Sequence, residues 1–230
     1  MAGAIMIPLQ MTVAAQWPAD YSWQFNLISD LGATMCGIAD EGTRVERDVC
    51  SPWHVLANAA TALNGLLLTA GALLLWRALP AGRSARAGLI LLTIGGVLVA
   101  GVGLTPWDLA PDLHHLFALV QAPVQWVGML LIAFGTWRSP LPRMLPVLTL
   151  IFTAVSLTGF ALFIDAIGGG RAAPLGIGLT ERIAFDSLTL WSVAAGFVLI
   201  VSAKRAASGG ALDEGSSPAS SAPIMERERS

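Results

Sequence analysis

Charge is what this chain has least of. Asp, Glu, Lys and Arg together make up 12% of its 230 residues, against roughly 25% in an average soluble domain. So thin a supply cannot cover the surface of a water-soluble fold of this size. Hydrophobic residues reach 55%, with a mean hydropathy of +0.68. The net charge of −2 provides no overall field for a nucleic-acid partner. Cysteine is almost as scarce. Cys36 and Cys50 are the whole supply, and their spacing is not that of a CxxC metal or redox motif. Histidine occurs three times, as His54, His114 and His115. These shortages exclude a soluble enzyme and a nucleic-acid binder, and they leave an integral membrane protein.

What is abundant is apolar sequence in runs of helical length, and about 20 such residues cross a bilayer. Five runs qualify: Trp53–Leu75, Ala87–Leu104, Leu113–Thr136, Leu145–Ile164 and Ile183–Ser202. None has Lys or Arg in its interior. The opening run Ala2–Gln16 is apolar but short, and Pro8 interrupts it. It reads as a first helix. A signal peptide is the competing reading, weakened by the absence of a basic leading region and of a small-residue cleavage site. The expected fold is all-α, an integral membrane bundle of six transmembrane helices.

Orientation follows from Lys and Arg in short loops. Arg77, Arg83 and Arg86 occupy one connection and Arg138 and Arg143 another, with no acid in either; Lys204 and Arg205 follow the last span. The loop 17–52 instead holds Asp20, Asp30, Asp40, Glu41, Glu46 and Asp48 against Arg44 and Arg47. The connection 105–112 holds Asp108 and Asp112 and no base, and 165–182 balances. This alternation places both termini in the cytoplasm and the 17–52 loop outside the cell membrane. Cys36 and Cys50 then share an oxidising compartment. A bridge between them closes a loop of about 15 residues, which removes about 3 kcal/mol of unfolded-chain entropy. Residues 1–205 form the membrane domain. The Ser-, Ala- and Gly-rich stretch 206–230 has no apolar period and is expected to be a disordered cytoplasmic tail.

The second, fourth and sixth spans run inward, so their N-termini gather at the outer face. Ser51-Pro52, Pro111-Asp112 and Thr180-Glu181 carry helix-opening chemistry, with Ser51 and Thr180 reading as N-caps. Just inside lie His54, His114, His115 and Arg182. Asp186 stands one turn beyond Arg182, which favours an ion pair between them. Converging helix N-termini with Arg182 and imidazoles suit an anion such as a lipid headgroup. A divalent metal held by Asp30 with His54, His114 or His115 is the alternative. It lacks an HxxxH or HExxH pair, so no cofactor is firmly implied. Within the bilayer, Gly95, Gly96, Ala100, Gly101 and Gly103 permit close helix packing. Asn58, Thr61, Asn64, Gln121 and Gln125 are the polar guests.

Four motifs follow one another: "YSWQFNLISDLGA" at 21–33, "CSPWHVLANAA" at 50–60, a histidine opening the fourth span, and "GLTERIAFDSLTLW" at 178–191. In this order they resemble the bacterial multi-pass membrane proteins of the domain of unknown function 998 family. The resemblance covers the chain apart from its tail. Asn26, Ser29, Asp30, Leu31 and Gly32 fit the first motif; Ser51, Pro52, His54 and Asn58 fit the second. His115, with Ala118 three residues later, fits the third better than His114. Glu181, Arg182 and Trp191 fit the fourth, while Phe185-Asp186 stands where the family has an aromatic and a proline. The resemblance implies the fold and topology, and it marks residues that topology has already gathered outside.

The expected function is that of a multi-pass membrane protein whose external polar site binds a lipid headgroup or another anionic small molecule. The ligand-binding candidates are Asn26, Ser29, His54, Asn58, His114 and Arg182. The alternative is a membrane-embedded hydrolase or transferase acting on a lipid at the outer leaflet, in which Asp30 or Glu181 is the general base, His115 is the acid or a metal ligand, and Arg182 holds the headgroup. In a purely structural role, Asp30 pairs with Arg182 or a histidine and locks the loop onto the bundle. Transport is the least favoured class, because no broken mid-bilayer helix is visible.

Overall fold

The fold is that of a computed structural model, which describes residues 2–78 and 82–214. Four helices follow the apolar runs closely: α2 (His54–Ala78), α3 (Arg83–Leu104), α4 (Pro111–Thr136) and α5 (Met144–Ile167). At 1.5 Å per residue they measure about 33–39 Å, enough to cross a hydrocarbon core of about 30 Å. The last helix, α6 (Ile177–Glu214), begins six residues before the expected span and runs on into 206–214. The remainder of the expected tail lies outside the described residues. All five helices are long and apolar enough to cross a membrane. The N-terminal segment, a 3-10 turn (Ala2–Ile5) continued by α1 (Met6–Ala14), is a shorter apolar helix.

The order of packing follows the order of the chain. Neighbouring helices from α2 to α6 pack in sequence, and the N-terminal segment lies against both α2 and α6. Between apolar helices in lipid, close backbone approach replaces the hydrophobic drive. Gly65 of α2 lies so near α3 that a Cβ there would strike the backbone of Gly96 and Ala100. Gly88 of α3 stands in the same relation to Gly128 of α4, and Gly159 of α5 to Ile183 and Ala184 of α6. The bundle's outside is apolar, with Leu74, Leu104 and Phe134 largely exposed. Its inside holds hydroxyls that find partners: Trp191 Nε1 donates to Thr149 Oγ1 at 3.0 Å, and Trp126 Nε1 to Ser156 Oγ at 2.8 Å.

One connection is folded in its own right. In the 17–52 loop, β1 (Cys36–Ala39) pairs antiparallel with β2 (Arg47–Cys50), Cys36 facing Cys50. The two cysteines are bonded, as their placement in one loop had suggested. The 3-10 turn (Ser29–Gly32) that precedes the hairpin packs on α2, and the segment just before it bonds to the start of α6, so that together these pieces form a cap over both helices.

Candidate functional site

The cap is held by two guanidinium groups. Asp30 is 0% exposed and receives a two-pronged ion pair from Arg47, Nε to Oδ2 at 2.6 Å and Nη2 to Oδ1 at 2.8 Å. The Leu27 N–H also donates to Asp30 Oδ2. Arg47 Nη1 reaches Asp40 Oδ2 at 2.5 Å and the Val45 carbonyl, and the guanidinium lies over the Trp107 ring. Burial alone would lower the Arg47 pKa; its bonds to Asp30 and Asp40 outweigh that and raise it above its ordinary value. The expected partners of Asp30, Arg182 or a histidine, are thus replaced by Arg47. The reason is local: the hairpin turns Arg47 back beneath the 3-10 turn that carries Asp30.

Arg182 is the second clamp. Its Nη1 donates to the carbonyls of Asn26 at 2.8 Å and Gly178 at 2.9 Å, and Nη2 donates to the Tyr21 hydroxyl. The guanidinium sits 5.3 Å from the Tyr21 ring centroid and 4.8 Å from that of Trp23. Tyr21 in turn donates to the Leu27 carbonyl at 2.8 Å. Its phenol pKa is raised by burial, with the nearby Arg182 charge only partly opposing the shift. Asn26 completes the lock, its Nδ2 donating to the Asp48 carbonyl while its Oδ1 accepts from the Ser22 N–H. Gly176, at φ +80°, lets the start of α6 approach the Gln24 carbonyl that a Cβ would strike. The expected Arg182–Asp186 pair is absent among the described residues, because Arg182 turns to the cap and Asp186 instead accepts from Gln10 Nε2 at 2.9 Å.

Two capping assignments change as well. The Ser51 hydroxyl donates to the Leu31 carbonyl at 2.6 Å, tying the cap to the head of α2, and α2 begins only at His54. Thr180 lies inside α6, and its hydroxyl donates back to the Gly176 carbonyl. Pro111 does open α4 as expected. His54 Nδ1 is 2.9 Å from the Ser51 carbonyl, and Asn58 Nδ2 donates to the Gly32 carbonyl.

Beneath the cap lies a chamber of about 120 Å³ with both polar and apolar walls, lined by Ile28, Ser29 and Gly32 of the cap and by residues of α1, α2, α3, α4 and α6. It reaches down to Gln125, fourteen residues into α4, or about 21 Å along the helix axis. Two carboxylates line it, Glu181 and Asp186, with one imidazole, His114. Five amides contribute: Gln10, Asn58, Asn64, Gln121 and Gln125. Glu181 Oε2 accepts the Ile28 N–H. His114 is buried, with Nδ1 2.7 Å from the Thr105 carbonyl; a carbonyl only accepts, so Nδ1 carries a proton.

Of the sequence candidates, Ser29, Asn58, His114 and Glu181 therefore meet in the chamber. Asn26, Asp30 and Arg182 belong to the lock above it. His115 is exposed, its ring meeting that of His114 edge-on at 6.0 Å, so α4 turns the first histidine of the pair inward. Among the described residues no three His, Cys, Asp or Glu side chains group so as to hold a metal ion. Of the donors considered for one, Asp30 is paired with Arg47, while His54 and His114 each meet a backbone carbonyl through Nδ1.

Sequence reasoning passed over Arg47, Tyr21 and Gln10. Arg47 carried a usable signal, as one of only two bases in a loop of six acids. Tyr21 is the only tyrosine. Gln10 gave none, standing in an apolar run with no recognisable spacing.

Five helices long and apolar enough to cross a membrane define a multi-pass helical membrane protein. Within that class the chain belongs to the family described as Protein of unknown function (DUF998), whose family model matches residues 1–198. No curated protein and no solved structure matches it.

Proposed function

We propose that the protein is a membrane binding protein that takes the polar headgroup of a lipid or lipid-like amphiphile in the chamber beneath the disulfide-tied cap. The observation that carries this reading is the chamber itself: a cavity that brings two carboxylates, an imidazole and five amides together with apolar wall, under a cap in which Asp30 and Asp40 are already paired with Arg47. Arg182 was the expected holder of the headgroup. Its bonds to carbonyls and Tyr21 move the binding role down to Ser29, Asn58, His114 and Glu181.

In this proposal the chain lies in the cell membrane with six crossings, the N-terminal segment being the first. Both termini are cytoplasmic and the cap is outside. The alternation of Arg-bearing and acidic connections supports that orientation, and the bond between Cys36 and Cys50 supports an oxidising compartment for the cap. A hydrolase or transferase is the second reading, favoured by one observation: Glu181 and His114, an acid and an imidazole, line the same chamber. They would take the base and acid roles in place of Asp30 and His115.

Native mass spectrometry of the protein released from mild detergent tests the binding reading. Wild type is expected to carry a bound small molecule or lipid. Ala118→Leu, which puts bulk into the chamber from α4, should lose it while keeping its helical circular dichroism. A bare wild-type protein, or equal retention by Ala118→Leu, overturns the proposal.

A further inference from the structure

Two carboxylates, Glu181 and Asp186, and no Lys or Arg side chain among the described residues line the chamber. Glu181 gives one oxygen to the Ile28 N–H, and Asp186 gives one to Gln10. The other oxygen of each has no hydrogen-bond partner among the described residues. Arg182, which neighbours Glu181 in sequence, does not line the chamber; its Nη groups are bound to the cap, and its buried Nε has no partner among the described residues.

Gln10 adds a buried acceptor to the two carboxylates. It is 6% exposed, and its Nε2 donates to Asp186. That bond fixes which way the amide points, because a carboxylate only accepts. Oε1 is left as a buried acceptor with no partner, a state that normally signals an absent donor. An unpartnered acceptor next to a free carboxylate oxygen asks for N–H groups that bring positive charge. Size narrows the class further. A water needs about 10–15 Å³ of such a volume, so a chamber of about 120 Å³ is too roomy for a bare ion to fill. Met6, Leu68, Val99 and Phe185 add apolar wall suited to methylene groups.

We infer that the chamber takes a protonated amine, held between Glu181, Asp186 and the Gln10 carbonyl oxygen, and carried either on a lipid headgroup or on a free alkylamine. The inference rests on reading the chamber as the binding site and assigns the charge of what it binds.

The test is calorimetric titration of the full chain in a nonionic detergent with four probes: dodecylamine, dodecyl phosphate, dodecanol and ethanolamine. Dodecylamine should bind, with the phosphate and the alcohol weaker by roughly tenfold or more. Asp186→Asn, which keeps an acceptor for Gln10, should weaken the amine by roughly tenfold, and Gln10→Leu should weaken it as well. These variants are preferred to Glu181→Gln, which also disturbs the bond to Ile28. Ethanolamine binding as tightly as dodecylamine assigns a free amine; binding of the amphiphile alone assigns a lipid. If the phosphate or the alcohol matches the amine, or if both variants bind the amine like wild type, the charge assignment fails and the binding site stands. If no probe binds the folded protein, both fail.

Discussion

The cap and the chamber lie one above the other and draw on the same residue types, yet they handle charge in opposite ways. In the cap the lock's charges are tied down: Asp30 and Asp40 share Arg47, and the Nη groups of Arg182 are boxed by carbonyls and aromatic rings, with only its Nε left without a partner. In the chamber Glu181 and Asp186 each keep a free oxygen, and Gln10 keeps a free carbonyl. A satisfied cluster inside a protein is rigid and costly to break, whereas an unsatisfied one can gain from a ligand. The difference separates the residues that build this protein from those that could operate it. It also divides the motifs, because "NLISDLG" gives Asp30 to the lock and Ser29 to the chamber, and "TER" gives Glu181 to the chamber and Arg182 to the lock.

The contrast is sharpest at Arg47. Arg47→Met strands the fully buried Asp30 carboxylate, and removing one member of a buried pair costs about 3–5 kcal/mol. Thermal unfolding in detergent should register this loss, with part of it recovered in the double variant Asp30→Asn/Arg47→Met. Asp186→Asn, which removes a charge from the chamber, should change stability by under about 1 kcal/mol. Equal destabilisation by the two single variants would erase the distinction between lock and site. Next in size is the bond between the hairpin strands. Replacing both Cys36 and Cys50 by Ser should cost about 3 kcal/mol, as expected for a loop of about 15 residues, and added reductant should shift wild-type unfolding by the same amount. Smaller again is Arg182→Lys. An ammonium cannot reproduce the planar fork that reaches Asn26, Gly178 and Tyr21 together, and a loss of about 1–3 kcal/mol follows.

The sequence made the spans legible, because crossing lipid demands long apolar runs and α2 to α5 keep within a few residues of them. The disulfide was legible from two cysteines in one loop. The partner of Asp30 was not. Its choice depends on a four-residue-a-side hairpin folding Arg47 beneath the 3-10 turn, and nothing in the spacing of the two residues fixes that. Neither was the inward histidine, since His114 and His115 differ by about 100° of helical rotation and only packing decides which one faces in. The chamber's amides were visible singly, as polar guests in apolar helices. Their convergence, and Gln10's part in it, belongs to the packing of α1 between α2 and α6.

Tyr21 supplies the finest test of the lock, because it perturbs nothing at neutral pH. It is the only tyrosine, so tyrosinate absorbance reads this one phenol against a tryptophan background that does not titrate. Burial raises its pKa above the ordinary value of about 10, and the folded protein therefore holds the phenolic proton more tightly than the unfolded chain does. The stability this group contributes is complete below the unfolded value. It is lost as pH rises from that value toward the raised folded one, because ionisation then favours the unfolded state. A spectrophotometric titration of the native protein should show no tyrosinate at pH near 10. The signal should instead appear together with loss of near-ultraviolet circular dichroism, as the Tyr21–Leu27 and Arg182–Tyr21 bonds let go. A free titration near pH 10 with the fold intact would mean that Tyr21 is not sealed between Arg182 and the 26–27 backbone. The cap would then sit more loosely on α6 than the lock described here requires.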